Sequence, residues 1–147
     1  MPALELYDHQ AALPLDMDRL FRAAADAVPL VLCAAGPGTA LLDELEEVEV
    51  SFIDDATIAK VHAEFMNDPS PTDVITFEHG EILISTETAI RQATEAGHDP
   101  QRECALYLIH GLLHLNGHDD RSPDDFSAMK RIQEGIMNEV WPLESRL

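Results

Sequence analysis

The alternation of apolar and polar residues predicts four short strands. Residues 4–7 and 48–52 alternate strictly, which is typical of strands with one buried face. Two further runs, 73–77 and 81–85, are rich in β-branched and aromatic residues and are joined by a turn at Gly80. These runs predict a sheet whose strands are separated by segments of a different period.

Five segments carry apolar residues at helical spacing together with helix start signals. They are expected to begin at or directly after Asp16, Asp54, Thr86, Pro100 and Ser122. Pro29 is expected to kink or stop the first helix, because proline lacks the N–H that continues the hydrogen-bond ladder. Residues 100–115 are apolar on most sides and predict a central, buried helix. The whole pattern predicts an α+β fold, with a small mixed sheet packed against several helices.

The length of 147 residues is typical of one domain, and residues 1–147 are predicted to form it. No apolar run reaches the roughly 18 residues of a membrane span, and residues 1–10 lack the cationic and apolar parts of a signal peptide. Cys33 and Cys104 are too few and too isolated for a disulfide framework, and both are expected to be buried thiols. These features favour a cytoplasmic location.

The charge balance limits the range of partners. Asp and Glu number 28 against 9 Lys and Arg, which gives a formal net charge of −19. Such a surface repels nucleic acid at long range. The charge therefore counts against non-specific RNA affinity, although a solubility bias would explain it equally well.

Residues 110–120 combine the features of a metal site. His110 and His114 are four residues apart on the predicted central helix and project from the same face. Gly117 can end that helix in a left-handed turn, after which further ligands can approach. Zinc that acts on water takes three protein ligands and keeps a fourth position open. Because two buried imidazoles without a partner are costly, we interpret this pair as metal ligands.

The third ligand is left open among the residues after the turn. Asp120, ten positions after His110, has room to reach back over the helix end, and a carboxylate oxygen is an acceptable zinc ligand. His118 is chemically the better donor but lies closer to the turn. Gly111 occupies the position of the general base in His-Glu-x-x-His peptidases, so a peptidase of that kind is not expected. Gly111 could instead allow another part of the chain to approach the helix closely.

Three segments resemble the YbeY endoribonucleases, which are zinc-containing rRNA maturation factors of bacteria. Within residues 110–120 the family pattern His-Gly-x-Leu-His-Leu-x-Gly-Tyr-Asp-His is matched except at the tyrosine and the last histidine. Residues 71–77 are close to the family's Pro-Thr-Asp-Val-Leu-Ser-Phe, and residues 80–85 to its Gly-Asp-Ile-x-Ile-Ser. Gly97-His98 also fits, and the segments keep the family's order.

The resemblance implies a zincin-like fold around the central His-x-x-x-His helix. The implied activity is zinc-dependent, single-strand-specific endoribonuclease cleavage in 16S rRNA 3′-end maturation and ribosome biogenesis. One Zn²⁺ per chain would be held by His110, His114 and Asp120, which would also be the catalytic residues. Asp120 stands where the family has its third histidine, and His118 is the fallback ligand. The implied partners are rRNA, the small ribosomal subunit and assembly proteins, with no role for DNA or a membrane.

Met66 is a departure from the family, which usually has an arginine suited to a phosphate contact at this position. Arg121 or Arg102 could take over that contact. Met66 and the charge of −19 also favour a second interpretation, a ribosome-assembly factor with a structural metal and weak or no RNase activity. A third interpretation, a metallohydrolase of another substrate such as an amide, is compatible with the ligands but not with Gly111.

The general base has no clear sequence signal. Asp119 and Glu81 are the candidates, and Asp73 is a secondary one. His79 lies in the turn between two predicted strands and could contact the substrate. Two other histidines are interpreted as ordinary helix or loop residues: His62 and His98.

Overall fold

The computed structural model describes residues 1–143, and the predicted domain's last residues, 144–147, lie outside the described part. The described residues form four strands and five helices. In chain order these are β1 (Ala3–Asp8), α1 (Met17–Leu32), β2 (Glu47–Ile53), α2 (Asp55–Met66), β3 (Val74–Phe77), β4 (Glu81–Ser85), α3 (Thr86–Ala96), α4 (Pro100–Leu115) and α5 (Pro123–Val140), with a short 3₁₀ turn at Leu42–Glu44. None of the described helices is long and apolar enough to cross a membrane.

The four strands form one mixed sheet in the order β1-β2-β4-β3. β1 and β4 both pair with β2 in parallel, and β3 pairs with β4 in antiparallel fashion. The parallel neighbours are joined through helices, as parallel pairing requires. The predicted α+β fold with a small mixed sheet is therefore confirmed, and β3 is left as an edge strand.

The two faces of the sheet are covered unequally. Val48, Val50 and Phe52 point from β2 into the main core, which contains residues of α1, α4 and α5. The opposite face forms a smaller cluster around Ile58 of α2, with Ile75 and further strand residues packed against it. Because one helix covers only part of that second face, an open groove remains beside α2.

Helix α4 is the central helix, as its apolar sequence predicts. Leu108, Ile109 and Leu112 are each at most 1% exposed, and the helix packs against α1, α3, α5 and the strands β3 and β4. Gly111 makes the contact with the sheet possible. A Cβ atom on Gly111 would lie 2.8 and 3.0 Å from two side-chain carbons of the fully buried Ile82. The part of the chain that was expected to approach Gly111 closely is therefore the sheet.

Of the two outcomes expected at Pro29, a kink or a stop, the stop is wrong, and the expected burial of Cys33 is also wrong. Helix α1 does not stop at Pro29 but continues to Leu32. A proline inside a helix costs about 3 kcal/mol, whereas burial of Val28 and Val31 contributes about 1.5–3 kcal/mol each, so packing outweighs the lost hydrogen bond. Cys33 is exposed rather than buried because it caps the helix end. Cys104 is buried as expected, and burial raises the pKa of its thiol to about 12.

The loop after α1 docks against the turn that ends α4. Gly36 N donates to Asn116 O at 3.0 Å, and Gly38 N donates to Gly117 O at 2.8 Å. Gly117 adopts a φ of 92°, which favours glycine. A Cβ atom on Gly36 would overlap the carbonyl group of Gly117. The two backbones can therefore meet only because both contact positions carry glycine.

We expect Gly36→Ala to lower the free energy of unfolding by about 1–3 kcal/mol, because the new methyl group meets backbone atoms that cannot yield without moving the turn. Urea denaturation measures this change. Gly135→Ala is the matched control, because a Cβ atom on Gly135 of α5 meets nothing within 4 Å. That variant should gain about 0.5–1 kcal/mol from helix propensity. Equal stability of Gly36→Ala and wild type would contradict the packing argument.

Candidate metal centre

Two histidine side chains meet at the last turns of α4. His110 and His114 lie one helical turn apart, so their rings project from the same face. The ring centroids are 4.5 Å apart, and the two Nε2 atoms are 2.9 Å apart. Both side chains are largely buried, with exposed fractions of 24% and 28%.

The outer nitrogen of each ring is held by a carbonyl oxygen. His110 Nδ1 donates to Gln133 Oε1 of α5 at 2.8 Å. His114 Nδ1 donates to the backbone carbonyl of His118 at 3.0 Å. Because a neutral imidazole carries one hydrogen, each Nε2 is then an acceptor with its lone pair directed at the other ring. Such second contacts are the usual way in which proteins fix the tautomer of a metal-binding histidine.

Asp120 completes the group. Its Oδ2 lies 3.7 Å from His110 Nε2 and 3.8 Å from His114 Nε2. The left-handed turn at Gly117 reverses the chain and brings this carboxylate back over the helix end. Ligand atoms at zinc bond lengths in tetrahedral geometry are about 3.4 Å apart, which is close to these separations.

The three converging atoms fit a metal cation. His110, His114 and Asp120 form the one group of three potential ligands identified in residues 1–143, with all ligand atoms within 4.8 Å of one another. All three atoms are acceptors when the histidines are neutral, so none can donate a hydrogen bond to another. A partly buried cluster of acceptors is unfavourable unless a proton or a cation is shared between them. The group could therefore hold a metal ion.

Burial lowers the pKa of His110, and the neighbouring ring of His114 lowers it further. The hydrogen bond to Gln133 and the charges of Asp73 and Asp120 oppose this shift without reversing it. A lowered pKa keeps His110 neutral at neutral pH, which is the protonation state that a metal requires.

The group opens into a cleft of about 580 Å³. One wall is the start of the edge strand β3, and the other is the turn after α4 with the loop that docks on it. Met66 lies at the end of α2 and lines the cleft, and it is 52% exposed. The charged groups along the cleft are four carboxylates and one guanidinium: Asp73, Glu78, Asp119, Asp120 and Arg121.

Comparison with known proteins identifies the family. Residues 8–141 match the family described as endoribonuclease YbeY. The chain belongs to the YbeY endoribonuclease family. Among curated YbeY endoribonucleases, that of Protochlamydia amoebophila is 41% identical over 67% of this chain and 73% of its own length. That of Thermobifida fusca is 30% identical over 88% of both chains, and that of Rhodopirellula baltica is 42% identical over 61% of this chain and 52% of its own length.

A solved structure shares the fold. The solution structure of a protein from Thermotoga maritima superimposes with a TM-score of 0.56, covering 92% of this chain and 90% of the other. At 21% sequence identity this likeness concerns the fold alone. Together with the His-x-x-x-His helix beside a mixed sheet, it supports the zincin-like fold expected of a YbeY protein.

Asp120, and not His118, has its side chain beside the two histidines of α4. His118 is 7% exposed, and its Nε2 hydrogen-bonds to the backbone carbonyl of Ala34 at the end of α1. Its ring is thus committed to holding α1 and the turn together. His118 still acts on the group through its backbone carbonyl, which orients His114.

The other predicted site residues divide between the cleft and the remaining surface. Asp73, Asp119 and Arg121 line the cleft, and Arg121 Nε lies 3.4 Å from Asp119 Oδ2. Glu81 and His79 do not, because they face the groove beside α2 on the other side of the sheet, 3.4 Å from each other.

Glu81 is therefore wrongly placed for a general base at this group, and the expected nearness of His79 to the site is also wrong, whereas a substrate contact by His79 stays a prediction. Arg102 is also elsewhere, since its Nε donates to Trp141 O at 2.9 Å. His62 fits the prediction of an ordinary histidine, with its Nδ1 2.9 Å from the Ser70 carbonyl. His98 forms a backbone hydrogen bond to Ala93 at the end of α3.

Gln133 is a site residue that sequence reasoning missed. It lies on α5, 23 residues after His110, and nothing local in the sequence distinguishes it from a surface glutamine. Unlike Gln133, the loop of residues 36–38 could have been recognised from the sequence. Its two glycines around a proline, Gly36-Pro37-Gly38, indicate a turn that can approach another backbone closely.

In metal-free protein, the free energy of unfolding should fall as the pH is lowered from about 6.5, the ordinary histidine pKa. The native pKa of His110 is lowered, so the unfolded chain takes up the proton first. Its contribution to stability is complete above the unfolded pKa and is lost as the pH falls through the native pKa. Urea denaturation in the presence of a chelator, at several pH values, measures this dependence.

His110→Gln should remove part of that dependence, because it removes the group whose native pKa is lowered. An unchanged pH dependence in His110→Gln would contradict the assignment.

Proposed function

We propose that this protein is a zinc-dependent, single-strand-specific endoribonuclease that acts in the cytoplasm in 16S rRNA 3′-end maturation and ribosome biogenesis. The observation that carries the proposal is the convergence of His110, His114 and Asp120 at an open cleft in a YbeY-family chain. The rRNA substrate, the preference for single strands and the partners, namely the small ribosomal subunit and assembly proteins, are supported by the family resemblance.

Zinc is the metal that we propose for this group. Two imidazole nitrogens and one carboxylate oxygen form a donor set that catalytic zinc sites use, and His110, His114 and Asp120 would hold the ion at the cleft. The chemistry supplied by bound zinc is Lewis-acid activation of water and of the scissile phosphate. The carboxylate makes the donor set harder and more anionic than three histidines, so weaker zinc affinity than in a three-histidine site is expected.

The chain's own residues orient the ligands and receive the proton. Gln133 and the carbonyl of His118 keep both Nε2 atoms directed into the group. Asp73 and Asp119 line the cleft and are the candidates for the general base. Both oxygens of Asp119 are engaged with Arg121, Oδ1 accepting from its backbone N and Oδ2 lying 3.4 Å from its Nε, whereas Asp73 uses only Oδ1, which accepts from Val74 N at 2.8 Å. We therefore favour Asp73, whose second oxygen can accept a proton.

A second candidate function is a ribosome-assembly factor with a structural metal and weak or no RNase activity. The observation that favours it is the lining of the cleft, where four carboxylates face a single guanidinium and Met66 supplies no charge. Repulsion of the RNA backbone would slow productive binding. Metal retention without RNA cleavage by the purified protein is the result expected from this alternative.

Substitution of the ligands tests the main proposal. Purified wild-type protein should hold one zinc ion per chain and cleave single-stranded RNA, and His114→Ala and Asp120→Ala should lose most of the metal and at least about 100-fold in activity. Metal analysis and an RNA cleavage assay measure both properties. Asp120→His, which recreates a three-histidine set, should bind zinc more tightly than wild type.

His98→Ala is the matched control for these variants, because His98 is an exposed histidine outside the cleft. It should retain both properties. RNA cleavage that persists after complete metal removal would contradict the proposed mechanism, and zinc loss in His118→Ala with none in Asp120→Ala would contradict the ligand set.

Substitution of Arg121 tests whether this residue contacts the phosphate backbone of RNA in the cleft. It is the one lysine or arginine among the described residues that line the cleft, and its side chain is 90% exposed. Arg121→Gln should weaken binding of a single-stranded oligonucleotide and reduce the slope of log affinity against log salt by about 0.7, the value for one phosphate contact. Lys60→Gln on α2 is the charge-matched control. Equal salt slopes for the two variants would exclude Arg121 as a phosphate contact.

A further inference from the structure

A second, smaller pocket adjoins the metal centre on the side of α5. It has a volume of about 140 Å³ and shares His110 and Asp120 with the ligand group. Its other walls come from the first turns of α5 and from the residue that orients His110: Phe126, Met129, Lys130 and Gln133. We call it the Phe126 pocket. Any group bound there lies directly beside the proposed metal.

The walls of the Phe126 pocket suit a flat, apolar ring. Met129 is 2% exposed and forms a fixed apolar wall, whereas Phe126 is 51% exposed. A cavity of about 150 Å³ is large enough for a benzene ring, so this pocket is large enough for one aromatic ring. A half-exposed phenylalanine beside a ligand group offers a surface on which a planar ring can stack.

The charges around the pocket place a phosphate at its rim. Lys130 lines the pocket, and it is one of only 9 lysines and arginines in a chain of net charge −19. No carboxylate of the described residues lies within ion-pair distance of Lys130, so its charge is available to a ligand. Asp124 and Asp125 precede Phe126 and disfavour an anion at the phenyl ring itself. These charges favour a ligand with an apolar ring against Phe126 and an anionic group beside Lys130.

We propose that the Phe126 pocket binds one unpaired nucleobase of the RNA, stacked on Phe126, with an adjacent phosphate contacting Lys130. An aromatic side chain combined with a cation is the usual platform for single-stranded nucleic acid. A paired base cannot enter, because its edge and both faces are occupied in a duplex. The inference rests on the RNA-cleaving function proposed above and gives that function a specific base-binding position next to the cleavage site.

Binding of a fluorescent, single-stranded oligouridylate to the full chain tests the proposal. Stacking of one base contributes about 1–3 kcal/mol, so Phe126→Leu, which keeps an apolar side chain but removes the ring, should raise the Kd at least about fivefold. Phe126→Trp should bind as wild type does. Lys130→Gln should reduce the salt slope by about 0.7. Phe126→Leu should not change the weak affinity for an RNA duplex.

Matched controls are Phe21→Leu, which removes another exposed ring on α1, and Lys60→Gln on α2, and both should bind as wild type does. Unfolding midpoints and metal content show that each variant is folded with an intact centre.

The inference alone is overturned if wild type binds and cleaves RNA while Phe126→Leu has the Kd of Phe21→Leu. If Phe126-dependent binding is found without cleavage, the pocket stands and the proposed function fails. If wild type does not bind the oligonucleotide at all, both are overturned.

Discussion

Burial of α4 is the constraint on which the rest of this structure depends. The helix contacts three other helices and two strands, and its apolar side chains are almost completely removed from water. Burial of one large apolar side chain contributes about 1.5–3 kcal/mol, so several together fix the position and rotation of the helix. With the rotation fixed, His110 and His114 can point only toward the edge strand β3 and the cleft. The close contact at Gly111 sets the depth at which both rings lie.

The turn that follows α4 completes the ligand group by placing Asp120 beside the two histidines. Hydrogen bonds from the Gly36-Pro37-Gly38 loop hold the backbone of the turn, and His118 ties that turn to the end of α1. Asp120 follows this fixed turn and thereby reaches the two histidines. The ligand group is therefore placed by backbone contacts between segments far apart in the sequence. This explains why the imidazole of His118, chemically the better ligand, serves as a structural side chain.

The distribution of charge limits where a polyanionic substrate can approach the protein. Four carboxylates line the cleft, Glu5, Glu49 and Glu81 occupy paired positions on neighbouring strands, and the chain as a whole carries a charge of −19. A polyanionic substrate can then approach only where positive charge is concentrated, and Arg121 and Lys130 lie on the two sides of the ligand group. Long-range attraction contributes little under these conditions. Under the proposed function, recognition would instead depend on short-range contacts, namely the proposed metal, two cations and the ring of Phe126.

The sequence by itself determined the elements, the α+β class and the two histidines of the candidate ligand group, because hydrophobic period and i, i+4 spacing are local properties. It also placed Asp120 within reach. Tertiary structure decided everything that depends on distant contacts: the continuation of α1 through Pro29, the commitment of His118 to Ala34, and the exclusion of Glu81 from the cleft. Gln133 and Phe126 approach the centre only because α5 packs on α4. The positions of these two residues depend on how α5 packs on α4, and no local sequence pattern predicts that packing.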